Sequence, residues 1–144
     1  MIVLDTTVLV YAVGVDHPLR EPSRRLVDAI AAGRVHATTT VGVIQEFVHV
    51  RARRLGRADA VKAGRSFAEL LAPLLVTPVS VEAALRIFER SDSLGAFDAF
   101  LAATAIANDA EALVSADRAF SSVSRLVHVV PGTAEFESLL AGRR

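Results

Sequence analysis

The sequence predicts an α/β fold, a parallel sheet of five strands with helices on both faces. Two observations predict it. Short aliphatic runs alternate with longer stretches whose apolar residues recur at helical spacing. Strands separated in this way by helices pair in parallel and are covered on both sides. A third observation marks the functional edge: acidic or hydroxyl residues stop the apolar runs at their C-terminal ends, where open parallel sheets place ligand sites.

The elements follow in order. Ile2-Val3-Leu4 is a buried strand that stops at Asp5 and turns directly into a short helix, which runs to Val13 and breaks at Gly14. His17-Pro18 opens the next element, whose stripe of Leu19, Leu26, Val27 and Ile30 reads as a helix ending at Gly33. Residues 35–38 form a second strand. From Thr40, the positions Val41, Ile44, Phe47 and Val48 repeat at helical spacing, carrying Glu46, before Gly56 breaks the run. Asp59 is placed to cap a further helix with the stripe Val61, Phe67, Leu70 and Leu71. Residues 74–76 form a third strand closed by Pro78, and Ser80 is placed to cap the helix after it. Gly95 introduces an alanine-rich helix over residues 96–107, with Asp98 in its first turn. Residues 112–114 make a fourth strand ending at Ser115-Ala116-Asp117, and residues 127–130 a fifth. Pro131-Gly132 closes a core of about 1–131, leaving 132–144 as a C-terminal tail of a single domain spanning 1–144.

Composition narrows the class. A chain of 144 residues can bury roughly 70% of its unfolded surface without staples. With 52% hydrophobic and 22% charged residues it reads as globular. No cysteine is present, so there is neither a disulfide framework nor a thiolate metal site, which suits a cytoplasmic location. Sixteen basic residues balance sixteen acidic ones, which argues against a protein coated on nucleic acid. No targeting segment is visible, and no apolar run approaches the roughly 20 residues of a membrane helix.

The chemistry lies in four carboxylates. Asp5 and Asp117 follow predicted strands, while Glu46 and Asp98 lie near helix starts, so all four belong to one edge of the sheet. Carboxylates packed in one cleft repel, and a divalent cation between them offsets that repulsion. An oxygen-only set suits magnesium or manganese rather than zinc, and such ions promote phosphodiester hydrolysis. Each acid also has a plainer role. Asp117 can cap the turn Arg118-Ala119-Phe120, Asp98 can complement a helix dipole, and Glu46 can be solvated on its helix. Asp5 is harder to dismiss, because carboxylates at the ends of apolar strands seldom serve packing.

Four blocks make the chain recognisable: Ile2-Val3-Leu4-Asp5-Thr6-Thr7, Gln45-Glu46-Phe47, Gly95-Ala96-Phe97-Asp98-Ala99, and Leu113-Val114-Ser115-Ala116-Asp117-Arg118-Ala119-Phe120. In this order they resemble the PIN domains, and within them the VapC-type toxins of bacterial VapBC toxin–antitoxin pairs. The resemblance covers residue 1 to about 131. It implies a PIN-like three-layer fold with a five-stranded parallel sheet, and a metal-dependent endoribonuclease that leaves a 3′-hydroxyl and a 5′-phosphate. By the same resemblance Asp5 and Asp98 are the main ligands of Mg2+ or Mn2+. Glu46 and Asp117 complete the pocket directly or through water, and Ser115 with Thr6 or Thr7 supplies supporting hydroxyls. It also implies an RNA substrate, a cognate VapB-type antitoxin and a homodimer. The helical stretch after residue 60 either supplies the dimer face or packs internally.

Two arginine clusters are candidate phosphate contacts, Arg51, Arg53 and Arg54 after Glu46, and Arg20 and Arg24 earlier in the chain. Solvated helix faces are the plainer account of both. His49, three residues after Glu46, is either a fifth polar group of the site or a packed histidine. A phosphoacceptor receiver domain also gathers aspartates at strand ends but requires a lysine after a late strand, and the only lysine, Lys62, lies mid-chain. A phosphoaspartyl hydrolase requires a second aspartate two after Asp5, where Thr7 stands. The remaining alternatives are a free-standing PIN nuclease and a nuclease-dead RNA- or protein-binding module of the same fold.

Overall fold

Ile2, Val3 and Leu4 are all buried in β1 (Ile2–Leu4), the strand that organises the sheet in the computed structural model, which describes residues 1–142. Successive residues of a strand point to opposite faces. Burial of three in a row therefore means that both faces are covered. The same holds for Ala112, Leu113 and Val114 in β3 (Ala112–Val114). With β2 (Ala37–Thr38) and β4 (His128–Val129) they form a parallel sheet in the order β2-β1-β3-β4. The chain leaves β1 toward β2 on one side and returns to β3 on the other. The crevice beyond the C-terminal ends of β1 and β3 is thus the point where the connections diverge.

The helices are α1 (Thr6–Ala12), α2 (Arg20–Ala31), α3 (Val41–Leu55), α4 (Arg57–Leu71), α5 (Pro78–Arg90), α6 (Ala96–Ala107) and α7 (Ala134–Leu140). A 3-10 turn spans Arg118–Ser122. Leu4, Leu9, Leu26, Phe47, Leu101, Leu113, Phe120 and Phe136 meet in one core. None of the helices among the described residues is long and apolar enough to cross a membrane.

The α/β architecture is as expected, with four strands rather than five. The anticipated third strand, 74–76, is reduced to one bridge: Leu74 N–H donates to Thr39 O at 2.8 Å and Val41 N–H donates to Leu74 O at 3.0 Å. Its partner has no further backbone to offer, because Thr40 is already the N-cap of α3, its side chain accepting from Val43 N–H. Leu75, 73% exposed, gains no core by extending the pairing.

Three further local expectations are corrected. Asp59 does not cap α4. Gly56, at φ +89°, takes that position, and Asp59 lies in the first turn paired with Arg51. Ser80 does not cap α5 either: Thr77 precedes Pro78 at the first helical position, the place where a missing N–H costs least. The expected tail after Pro131 contains α7, capped by Thr133 and anchored by the fully buried Phe136; its last two residues lie outside the described ones.

In the apolar stripe of α4, Phe67 and Leu71 are buried while Val61 is exposed. Phe67 meets Phe47 of α3 edge-on, with ring centroids 5.1 Å apart at 88°. A Cβ at Gly64 would lie 2.6 Å from Val48 Cγ2, so glycine sets the close approach of the two helices. Phe47→Ala should therefore destabilise the protein by about 3–5 kcal/mol, read as a lower denaturant midpoint. A loss below about 1 kcal/mol would show that the Phe47 site collapses freely and does not fix α3.

Candidate active site

Asp5 follows β1 immediately and caps α1, so one residue ends the strand, starts the helix and faces the crevice. It is 3% exposed, yet its Oδ2 is well supplied with donors. The Thr7 hydroxyl donates to it at 2.8 Å, the Ser115 hydroxyl at 2.7 Å, and Thr7 N–H at 3.4 Å. Ser115 stands at the end of β3, adjacent to β1, which explains how residues so distant in sequence meet. Its oxygen also accepts from Asp117 N–H at 2.9 Å, and Thr7 Oγ1 accepts from Ala116 N–H at 3.0 Å. Asp5, Thr7, Ser115 and the 116–117 backbone thus form one network across two strand ends. Such networks hold rotamers because every member has a partner.

The other three acids come from separate elements. Glu46, in the second turn of α3, accepts a short hydrogen bond from the Thr6 hydroxyl. Asp98 is in the first turn of α6, behind the N-cap Gly95. Asp117 caps the 3-10 turn, accepting from Ala119 N–H at 2.9 Å. All four line one cleft of about 490 Å³, together with Thr6, Thr7, Val10, Tyr11, Gly14, Val15, His17, Val50 and Arg54. Asp117 therefore has both the plain role and a place in the cleft.

The electrostatics register this gathering. Burial, and then the negative charges of Asp5, Asp117 and Glu46, raise the pKa of Asp98 to about 6. The shift arises because a fourth negative charge in a half-buried cleft is unfavourable. A divalent cation relieves the same repulsion. The donor set is all carboxylate and hydroxyl oxygen, the kind that hard magnesium or manganese prefers. In charge and donor chemistry the residues fit such an ion. Among the described residues, however, no three acidic or histidine side chains are drawn together as a ready ligand group. Asp5, Glu46 and Asp117 instead each accept hydrogen bonds from the protein, and the four surround the cleft.

The arginine candidates separate. Arg54 lines the cleft. Arg51 is committed to structure: its Nε pairs with Asp59, and its Nη1 donates to Val13 O at 2.7 Å. Arg53 is exposed in the last turn of α3, and Arg20 and Arg24 lie on α2; none of the three is among the cleft-lining residues. His49 is exposed and outside the lining, so it is not a packed histidine. Sequence reasoning passed over Tyr11 and His17, which line the cleft as a stacked pair. The available signal was spacing: Tyr11 is four residues after Thr7, on the same face of α1.

Ser115→Ala tests the network. It removes the donor to Asp5 and leaves Asp117 N–H without its acceptor, so stability should fall by about 1–3 kcal/mol. An alanine variant with the parental melting temperature would show that Ser115 only fills space.

Known proteins resemble this chain in sequence and in fold. The PIN-domain family model matches residues 2–126. A ribonuclease of Mycobacterium tuberculosis (strain ATCC 25618 / H37Rv), VapC7, is 52% identical over 147 residues, covering 99% of this chain and 100% of the relative. Among solved structures, VapC20 of Mycobacterium tuberculosis, described as a sarcin-ricin loop cleaving toxin, superposes with a TM-score of 0.74 at 22% identity. That match covers 91% of this chain and 100% of the other. VapBC2 of Rickettsia felis, bound to a promoter DNA fragment, superposes with a TM-score of 0.73 at 18% identity, covering 91% and 99%.

Proposed function

This chain belongs to the PIN-domain family, and from that membership we propose that it is a metal-dependent endoribonuclease, the toxin of a VapBC-type toxin–antitoxin pair. The observation that carries the proposal is the single cleft lined by Asp5, Glu46, Asp98 and Asp117, in which the other three acids help raise the pKa of Asp98 to about 6. Asp5 and Asp98 are the principal ligands of Mg2+ or Mn2+, with Glu46 and Asp117 completing the set directly or through water. A bound divalent ion supplies an activated water and offsets the charge that develops on the phosphate.

The chain's own residues do the rest. Ser115 and Thr7 hold the Asp5 carboxylate in one orientation, and Thr6 does the same for Glu46. Arg54 at the cleft wall meets a phosphate of the incoming strand without reading its sequence. Water attack on phosphorus with departure of the 3′ oxygen leaves a 3′-hydroxyl and a 5′-phosphate. The 52% identity to a ribonuclease over nearly the whole chain supports the substrate class.

An antitoxin of the VapB type is the partner this reading requires. Beside the acidic cleft lies an apolar pocket of about 250 Å³ that shares Val10, Gly14, Val15, Val50 and Arg54 with it. A partner segment seated there, bringing an arginine or lysine to the four acids, replaces the charge of the cation. A homodimer belongs to the same proposal. The test is cleavage of RNA by purified protein with magnesium or manganese, with and without chelator, and with the product of the adjacent gene co-expressed. Cleavage that chelator abolishes and the neighbour inhibits is expected. RNA left intact under every metal condition overturns the nuclease assignment. Cleavage with no inhibitory neighbour favours a free-standing nuclease.

A further inference from the structure

Tyr11 and His17 stack with ring centroids 4.3 Å apart and planes 18° from parallel. Both line the cleft that holds the four acids. Tyr11 reaches it from α1, four residues or about 6 Å along the helix beyond Thr7, whose hydroxyl bonds Asp5. His17 comes from the loop after α1, and Gly14 makes its return possible: a Cβ there would lie 2.6 Å from Val10 O. The His17 ring is also held in place, since its Nδ1 accepts from Leu19 N–H at 3.1 Å. Tyr11 is half-buried and His17 is exposed, so the pair is anchored at one end and open at the other.

A fixed, open aromatic face beside a phosphodiester-cleaving cleft suits one ligand chemistry. Every base has a π-face, and aromatic side chains, histidine included, bind single-stranded nucleic acid by stacking on it. A base paired inside a duplex has no free face to offer. We propose that the Tyr11–His17 pair is a stacking platform for one unpaired nucleobase, next to the phosphate that enters the acidic cleft. The proposal rests on the ribonuclease reading above. The base lies on the open face of His17 and extends the stack by one layer. The platform selects single-stranded or looped RNA over duplex and is tolerant of base identity.

Tyr11 is the only tyrosine of the chain, which has no tryptophan, so tyrosine emission reports on this pair alone. The probes are a short mixed-sequence single-stranded RNA, the same RNA as a duplex, and an abasic oligomer with the same phosphates. Binding is measured in the Asp98→Asn background with magnesium, which keeps the RNA whole. The single strand should change tyrosine emission, and the abasic oligomer should bind roughly tenfold more weakly. His17→Ala should weaken single-strand binding roughly tenfold and leave abasic binding unchanged, whereas His17→Phe should restore it. With Asp98 intact, His17→Ala should raise KM with little change in kcat, a split that loosened folding would not give. Equal binding of intact and abasic RNA, or parental binding by His17→Ala, overturns the platform. The nuclease reading is judged separately, by whether the parent protein cleaves RNA at all.

Discussion

Asp98→Asn is expected to lower RNA cleavage at least about a hundredfold while leaving the circular-dichroism spectrum unchanged. The substitution keeps volume and removes charge. On the proposed chemistry it deletes a principal ligand, and a metal ion contributes several kcal/mol of transition-state stabilisation, at about 1.36 kcal/mol per tenfold in rate. The same change should make the metal-free protein melt higher at pH 8, because it removes the charge that burial and Asp5, Asp117 and Glu46 oppose. Activity and stability thus move in opposite directions, as in sites where function is maintained against stability. A mutant that cleaves normally, or that melts lower than the parent without metal, would remove Asp98 from the site.

Metal-free protein should melt higher near about pH 5.5 than at about pH 8. The sign follows from the direction of the shift. Asp98 has a folded pKa of about 6, above the ordinary aspartate value of about 3.9. A raised carboxylate destabilises the fold when ionised. The penalty is complete above the folded pKa and fades as pH falls through 6 toward 4. Glu137, held below its usual range by its hydrogen bonds to Arg25, and Glu111, held low by the N-terminal amine, act in the opposite sense at lower pH. Both are exposed surface pairs and contribute little. The control is Asp98→Asn, in which the gain on acidification should shrink.

Magnesium at a hundredfold excess over its dissociation constant should add about 2.7 kcal/mol at pH 8, a rise in Tm of roughly 8 °C for a chain of this size. The metal response should be blunted in Asp98→Asn and Asp5→Asn. If both variants respond to metal like the parent, those aspartates are ordinary helix-terminal residues.

The elements legible in the sequence were those that local physics sets. β1 shows as three apolar residues stopped by Asp5, and α6 begins at Ala96 because Gly95 opens an alanine-rich run. The failures were also local. Asp59 and Ser80 are good capping types, but Gly56 and the Thr77-Pro78 pair lay upstream and started their helices first. The 74–76 run has strand composition, yet its pairing depends on how far a distant strand extends before becoming a helix.

The sequence by itself determined the strand–helix alternation, the one edge to which four carboxylates belong, and the oxygen-only chemistry available there. Apolar period, capping and side-chain chemistry are properties of neighbours along the chain, so they need no knowledge of the fold. Only the tertiary structure decided that Ser115 meets Asp5, that Asp98 is the acid whose pKa is raised, and that Arg51 belongs to Asp59 while Arg54 faces the cleft. It alone brought His17 over Tyr11 and seated Phe136 in the core. Each of these depends on distances and burial between segments far apart in sequence. Coulomb energy, desolvation and packing act through those distances, and no local pattern records them.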